Sequence, residues 1–243
     1  MNHNRIGLLL LAIFLNACAT KLPAKTPIGT LFFNAGEHPS STLIVLLPGV
    51  ADRPETFQQE GFINALRDRK INADLVAVDA HLGYYRERNM VERLHQDVIL
   101  PAQTKGYRDI WLVGISLGGW GSILYAQQHQ HDISGLLLLA PFIADRKLFD
   151  EVQAAGGLDA WRLAHVDPQD DQRAGLAWLA DFKQTQAPLK LYLGYGASDR
   201  FATPIGLLGA RLPAEQVSVV RGGHDWPTWL KLWNGFLDRH TLR

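Results

Sequence analysis

Short apolar runs alternate along the chain with longer stretches of helical periodicity. The runs are rich in Val, Ile and Leu, and several are apolar throughout, as strands buried on both faces of a sheet are. The predicted strands are 29–33, 42–47, 74–78, 109–114, 134–140, 188–193 and 216–220. The predicted helices are 54–69, 87–104, 117–129, 144–155, 172–183, 203–211 and 226–240. This alternation predicts an α/β fold with a mostly parallel sheet and helices on both faces.

The longest gap between predicted strands, residues 144–185, predicts a small helical cap over the carboxyl edge of the sheet. Its aromatic residues are Trp161, Trp178 and Phe182. We expect one domain over residues 28–243, because 243 residues are short for two domains. Residues 19–27 contain two prolines, which disfavour regular structure, and are interpreted as a tether.

The N-terminus has the pattern of a signal peptide. Arg5 supplies positive charge, and residues 6–15 are apolar but too few to cross a bilayer. The Leu-Asn-Ala-Cys sequence at 15–18 resembles a bacterial lipobox, which implies cleavage before Cys18 and its lipidation. We therefore expect export to the cell envelope and a membrane anchor on the periplasmic side. Residues 17–19 also fit an A-x-A cleavage site, which would release a soluble periplasmic or secreted protein, and membrane fractionation of Cys18→Ser distinguishes the two.

Composition narrows the classes of partner. The 24 Lys and Arg residues balance the 24 Asp and Glu residues. This balance gives no broad basic field for nucleic acid, and a neutral or weakly charged small substrate fits best. Cys18 is the sole cysteine, so no disulfide forms within the chain.

The strongest local motif is Gly-Ile-Ser-Leu-Gly-Gly at 114–119, between a predicted strand and a predicted helix. This is the G-x-S-x-G pattern of a nucleophile elbow in the strand-turn-helix context that such an elbow requires. It makes Ser116 a candidate nucleophile and the backbone N–H of Leu117 a candidate oxyanion donor. The alternative is a glycine-rich turn that carries a serine by chance.

A second donor would come from the loop after an early buried strand. The sequence Leu-Leu-Pro-Gly-Val at 46–50 occupies that place, and the N–H of Val50 is the candidate. A simple Pro-Gly turn is the alternative interpretation.

A general base and its acid partner are expected on loops that follow the last strands. Of nine histidines, His224 has the chain order and post-strand position of a triad base. Asp199 follows the preceding strand and is the candidate acid, with Asp145 as the fallback. Asp225 adjoins the histidine and is badly placed to orient its ring.

With these motifs the chain resembles the α/β-hydrolase superfamily over residues 28–240. The 114–119 motif and the Gly-Gly-His-Asp-Trp-Pro stretch at 222–227 are similar to those of small bacterial serine esterases. The resemblance implies hydrolysis of a carboxylic ester or thioester through an acyl-enzyme. In that reaction Ser116 attacks, His224 takes its proton and Asp199 holds the imidazole. It implies no metal and no organic cofactor.

Several ring-bearing side chains near these motifs are candidates for a substrate pocket. They are Trp120, Tyr84, His81 and Trp226. Taken singly, an aromatic residue at a helix-sheet junction is more often part of the core. Two other functions stay open: an acyltransferase that uses the same triad, and a catalytically silent envelope-binding lipoprotein.

Overall fold

The computed structural model of the protein describes residues 22–36, 38–161, 170–183 and 189–239. The predicted signal peptide and Cys18 lie outside these residues, as do parts of the predicted tether and cap. The described part of the tether has neither helix nor strand. It is nevertheless attached to the domain, because the hydroxyl of Tyr84 bonds both the N–H and the carbonyl of Lys25, at 3.1 Å each.

The predicted parallel sheet is confirmed. In the described residues it has seven strands: β1 Thr30–Phe33, β2 Thr42–Leu47, β3 Asp74–Val78, β4 Asp109–Ile115, β5 Gly135–Leu139, β6 Lys190–Gly196 and β7 Val217–Val220. Their order in space is β1-β3-β2-β4-β5-β6-β7. β1 pairs with β3 in the antiparallel sense, and all other neighbours are parallel. The strand order reverses beside β4, at a topological switch point where α/β sheets bind ligands.

The helices differ from the predicted ones where the chain bends. They are α1 Pro54–Gln59, α2 Phe62–Asp68, α3 Leu82–Arg86, α4 Met90–Leu94, α5 Leu100–Thr104, α6 Leu117–His129, α7 Arg146–Ala154, α8 Asp171–Asp181, α9 Ala202–Gly209 and α10 Trp226–Arg239. The predicted helix 54–69 is two helices, because Gly61 adopts a left-handed φ of 86° between them. The predicted helix 87–104 is divided by a π-helical turn, His95–Ile99, just before Pro101.

Side chains of β4 point alternately to the two faces of the sheet, and a different helix covers each face. The Trp111 ring packs on Phe236 of α10, with ring centroids 5.7 Å apart. Gly114 faces the other way, since a Cβ there would lie 2.5 Å from Oγ of Ser122 on α6. α6 and α10 therefore cover opposite faces of the sheet, and β4 ends between them.

Helices α7 and α8 lie in the region predicted as a cap. Polar contacts join them, since Glu151 accepts hydrogen bonds from Arg173 at 2.7 and 2.5 Å and from Trp161 at 3.0 Å. α8 packs on α6 so closely that a Cβ at Gly175 would be 2.4 Å from the Trp120 ring. Within the described part of the chain, no helix combines the length and apolar character needed to span a membrane.

Candidate active site

Ser116 lies in the sharp connection between β4 and α6. Its φ of 51° and ψ of −109° are unusual for a residue with a side chain. The flanking glycines permit this turn because the backbone is crowded there. A Cβ at Gly114 would lie 2.3 Å from the carbonyl oxygen of Gly118, and a Cβ at Gly118 would lie 2.1 Å from that of Leu47. Larger residues would push the elbow away from the sheet.

Three predicted side chains meet at the carboxyl edge of the sheet. His224 Nε2 is 3.0 Å from the hydroxyl oxygen of Ser116. His224 Nδ1 is 2.8 Å from Oδ2 of Asp199. Since an ionised carboxylate only accepts, Nδ1 donates to Asp199 and Nε2 is left to accept from Ser116. The arrangement can therefore move a proton from the serine to the imidazole.

Packing and hydrogen bonds hold this line of groups in place. The Asp199 side chain is fully buried, and its other oxygen accepts from the backbone N–H of Phe201 at 2.8 Å. The His224 ring lies between the rings of Phe201 and Trp229, each edge-on with centroids 5.1 Å away. The imidazole can thus turn little without disturbing two aromatic contacts.

The two candidate oxyanion donors belong to adjoining segments. Leu117 is the first residue of α6, so its N–H has no acceptor within the helix. The loop after β2 passes beside the serine, because a Cβ at Gly49 would lie 3.8 Å from Cβ of Ser116. That loop is a turn, closed by a hydrogen bond from Asp52 N–H to the Gly49 carbonyl at 3.2 Å, and it contains Val50.

The reactive edge opens into a cleft of about 580 Å³ on the α10 side, which we call the His224 cleft. Ser116, His224, Asp52, Arg200 and Trp226 are among its lining residues. The cleft is open to water, and its lining combines these charged groups with apolar side chains such as Trp229.

No family model matches the chain, and no curated protein matches its sequence. Solved structures do match. S-formylglutathione hydrolase (FrmB) of Staphylococcus aureus aligns with a TM-score of 0.56 at 15% identity, over 82% of this chain and 80% of that one. A monoacylglycerol lipase of Paleococcus ferrophilus gives 0.56 at 15% identity, over 87% and 97%. A ferulic acid esterase gives 0.57 at 16% identity, over 81% and 82%.

The chain has the α/β-hydrolase fold. In that fold the nucleophile follows a central strand, and the acid and the histidine follow the next strands toward one edge. Here the corresponding strand ends are those of β4, β6 and β7.

The α/β-hydrolase fold separates the four predicted pocket residues. Trp226 lines the His224 cleft, and its indole N–H donates to Asp52 at 3.0 Å. Trp120 and Tyr84 line a second cavity on the α6 side. His81 lines neither of these two cavities. Its Nδ1 instead accepts from the backbone N–H of Gly83 at 3.1 Å and caps α3.

The other aspartates considered as acids hold helix ends. Asp145 accepts from the N–H of Leu148 at 2.9 Å and caps α7. Asp225 accepts from the N–H and hydroxyl of Thr228, at 3.0 and 2.6 Å, at the start of α10. These bonds lower the pKa of Asp225. Both carboxylates are thus engaged at helix ends, whereas the His224 ring bonds Asp199.

One group of side chains has the composition of a metal site. His95, His129 and Asp132 place potential ligand atoms within 4.8 Å of one another, at the far end of α6 from Ser116. The two imidazoles, however, stack with centroids 4.0 Å apart and planes 13° apart. Their in-plane lone pairs run side by side and do not converge on one point, so an ion would have to turn a ring. Burial lowers the pKa of His129, and the charge of the neighbouring His95 lowers it further.

Sequence reasoning did not find Phe201 or Asp52, which support the site in this α/β-hydrolase fold. An aspartate often accepts from the N–H two residues later, so the Phe201 bond to Asp199 had a local signal. The contact between the Phe201 ring and His224 depends on the fold and had no such local signal in the sequence. The bond between Asp52 and Trp226 joins positions 174 residues apart and likewise left no mark in the sequence.

Proposed function

We propose that this protein is a serine hydrolase that cleaves a carboxylic ester or thioester through an acyl-enzyme. The observation that carries the proposal is the continuous hydrogen-bonded line from Asp199 through His224 to Ser116 at the mouth of a cleft. The fold adds support, because solved structures that share it are named as a hydrolase, a lipase and an esterase.

In the first half of the proposed reaction, Ser116 Oγ attacks the carbonyl carbon while His224 Nε2 takes the serine proton. The carbonyl oxygen becomes an oxyanion, which accepts hydrogen bonds from the N–H groups of Leu117 and Val50. Removing one such donor typically costs about 3 kcal/mol of barrier. The imidazolium formed is stabilised by the buried carboxylate of Asp199.

In the second half, His224 gives its proton to the leaving oxygen or sulfur, and the bond from this atom to the carbonyl carbon breaks. Water then enters from the cleft, loses a proton to His224 and attacks the acyl-enzyme. The acid is released and Ser116 regains its proton. The scheme is complete with the chain's own groups and one water molecule.

A fluorophosphonate probe tests the proposal, because it phosphonylates an activated serine. We expect stoichiometric labelling of the folded wild type, loss of labelling in Ser116→Ala, and matching loss of p-nitrophenyl acetate hydrolysis. Ser122→Ala is the control, since that buried hydroxyl donates to the carbonyl of Gly118 and does not face the cleft. Labelling that persists in Ser116→Ala would contradict the proposal.

A further inference from the structure

The chain enters the sheet at the edge that carries the active site. Residues 22–29, which we call the docked segment, lead into β1. β1 runs antiparallel to β3, and Thr30 at its start pairs with Val78 at the end of β3. The docked segment therefore reaches the sheet at its carboxyl edge, where Ser116 lies. Three strand spacings separate β1 from β4, so the two points are about 14 Å apart across the sheet.

Hydrogen bonds hold the docked segment along its whole length. Near its start, the N–H of Ala24 donates to the carboxylate of Glu87 at 3.0 Å. Near its end, the N–H of Ile28 donates to Asp97 at 2.9 Å, and the Ile28 side chain is buried. The bonds of the Tyr84 hydroxyl to the backbone lie between these two. The docked segment therefore follows a fixed path over the domain and is not a free linker.

The first residue of the docked segment, Leu22, contacts α3. A Cβ at Gly83 would lie 2.1 Å from the Leu22 carbonyl oxygen, so the two backbones touch. Tyr85, two positions further along α3, donates to the carbonyl of Leu117 at 3.2 Å. Since Leu117 follows the candidate nucleophile, the docked segment and the elbow contact the same short helix.

The exposed side chains at this place suit the headgroup region of a bilayer. Leu22 is 47% exposed, although it is a large apolar residue. Lys25 and Arg86 are exposed too, and neither forms an ion pair within the described part of the chain, while Glu87 beside them is engaged by the docked segment. Arg86 is three positions after Gly83 and so lies on the same face of α3. We call Leu22, Lys25 and Arg86 the α3 face.

The predicted lipid anchor is close to the α3 face. Cys18 is four positions before Leu22, and four residues reach at most about 14 Å. If the docked segment were a free linker, the reach from Cys18 to the start of β1 would be about 40 Å. The docking therefore determines which side of the domain a lipid on Cys18 would hold at the membrane.

We propose that the α3 face is a membrane-docking surface, which turns the carboxyl edge and its active site toward a phospholipid bilayer. The orientation rests on the predicted lipidation of Cys18. Its consequence for the substrate rests on the proposed serine hydrolase function: the enzyme acts on esters that a bilayer presents at its surface. Such an ester is concentrated beside the His224 cleft, whereas an ester in free solution gains nothing from the orientation.

Fluorescence quenching tests the orientation on the lipidated full-length protein, in vesicles of phosphatidylethanolamine and phosphatidylglycerol. Arg86→Cys and Val219→Cys each supply one free thiol for a fluorophore, because the sole native cysteine carries the lipid. Val219 is the control, exposed on β7 at the opposite end of the sheet from β1. Lipids with spin-labelled headgroups should quench most of the fluorescence at position 86 and little at position 219.

Two results would overturn the orientation. One is quenching that is equal at the two positions or stronger at 219. The other is mass spectrometry that finds no lipid on Cys18 of protein taken from bacterial membranes. Neither measurement uses enzymatic activity, so both are independent of the proposed function.

Charge reversal tests the consequence for the substrate. Lys25→Glu/Arg86→Glu should lower hydrolysis of a long-chain p-nitrophenyl ester held in the vesicles at least about tenfold, since each cation at an anionic surface contributes about 1 kcal/mol. Hydrolysis of p-nitrophenyl acetate in water should stay at the wild-type rate. Lys105→Glu/Lys190→Glu makes the same charge change near the starts of β4 and β6, at the amino edge, and should leave both rates unchanged.

Failure of the docking surface and failure of the enzyme are distinguishable. Equal rates of the two double variants on the vesicle ester would overturn the substrate class, while hydrolysis of the acetate shows that the enzyme is intact. No hydrolysis of either ester, with no fluorophosphonate labelling of folded protein, would overturn the proposed function, and the quenching result then decides the orientation alone.

Discussion

The carboxyl edge of the sheet and the cap region are held by different forces. At the edge, backbone geometry fixes Ser116, and buried bonds of 2.8 and 3.0 Å fix its partners. The link between α7 and α8 instead relies on exposed ion pairs such as that of Glu151 with Arg173, together with the packing of α8 on Trp120. Surface ion pairs contribute little each, typically below about 1 kcal/mol.

This difference indicates that the sheet edge and the cap region have different roles. The edge carries groups that any ester hydrolysis would need, and their positions tolerate little movement. The cap region borders the cavity on the α6 side, which Asp171 and Gln172 help to line, and it carries none of these three groups. Changes at the edge should therefore abolish turnover, whereas changes in the cap region should mainly alter stability.

The largest expected effect comes from Asp199→Asn. An amide in place of the buried carboxylate favours the wrong imidazole tautomer, so kcat for p-nitrophenyl acetate should fall by about 10³–10⁴. Because the shape is retained, far-UV circular dichroism should match that of wild type. Asp145→Asn, which alters only the cap of α7, should stay within about twofold of wild type. The reverse ranking of the two variants would move the acid role to Asp145.

An intermediate effect is expected from a matched pair of helical glycines. Gly175→Ala in α8 sets a methyl group against the buried Trp120 ring and should destabilise the protein by about 1–3 kcal/mol. Gly206→Ala in α9 meets only the Tyr195 hydroxyl at 3.9 Å, and it should stabilise by about 0.5–1 kcal/mol through helix propensity. Urea denaturation measures both. Equal effects would show that α8 is not tightly packed on α6.

The smallest effect concerns pH and the cap region. Hydrogen bonds from Arg173 and then Trp161 lower the pKa of Glu151 from 4.5 to about 2. A lowered folded-state pKa means stabilisation that is present above pH 4.5 and is lost as the pH falls toward about 2. The stability difference between wild type and Glu151→Gln should therefore shrink over that window.

Arg173→Gln is the partner variant for this experiment. If the pair is the source of the difference, the double variant should be no less stable than the sum of the single effects predicts, and its pH slope should match that of Glu151→Gln. A full pH slope in Glu151→Gln would assign the dependence to another group.

The strands and the three side chains of the candidate site were predictable because their signals are local. A run such as residues 42–47 is apolar throughout, and burial on both faces of a sheet explains it. The G-x-S-x-G motif predicts a nucleophile elbow because a predicted strand precedes it and a predicted helix follows it. Chain order then selected His224 and Asp199 among many alternatives.

Other features depended on contacts between distant segments. α3 is five residues long, contains Gly83 and begins at a histidine cap, so its periodicity is too short to detect. Trp120, Tyr84 and Trp226 are all aromatic and near the motifs, yet they line two different cavities. Only the layering of α6 and α10 on opposite faces explains that separation.

The distant partners of Ser116 have a consequence for how the chain folds. The Ser116 hydroxyl contacts an imidazole 108 positions further along the chain, and that imidazole in turn bonds a carboxylate at the end of a third strand. No fragment that stops before β7 can bring these groups together. Turnover of a chromogenic ester would thus be an all-or-none reporter of complete folding, gained only when the final strand and helix have joined the sheet.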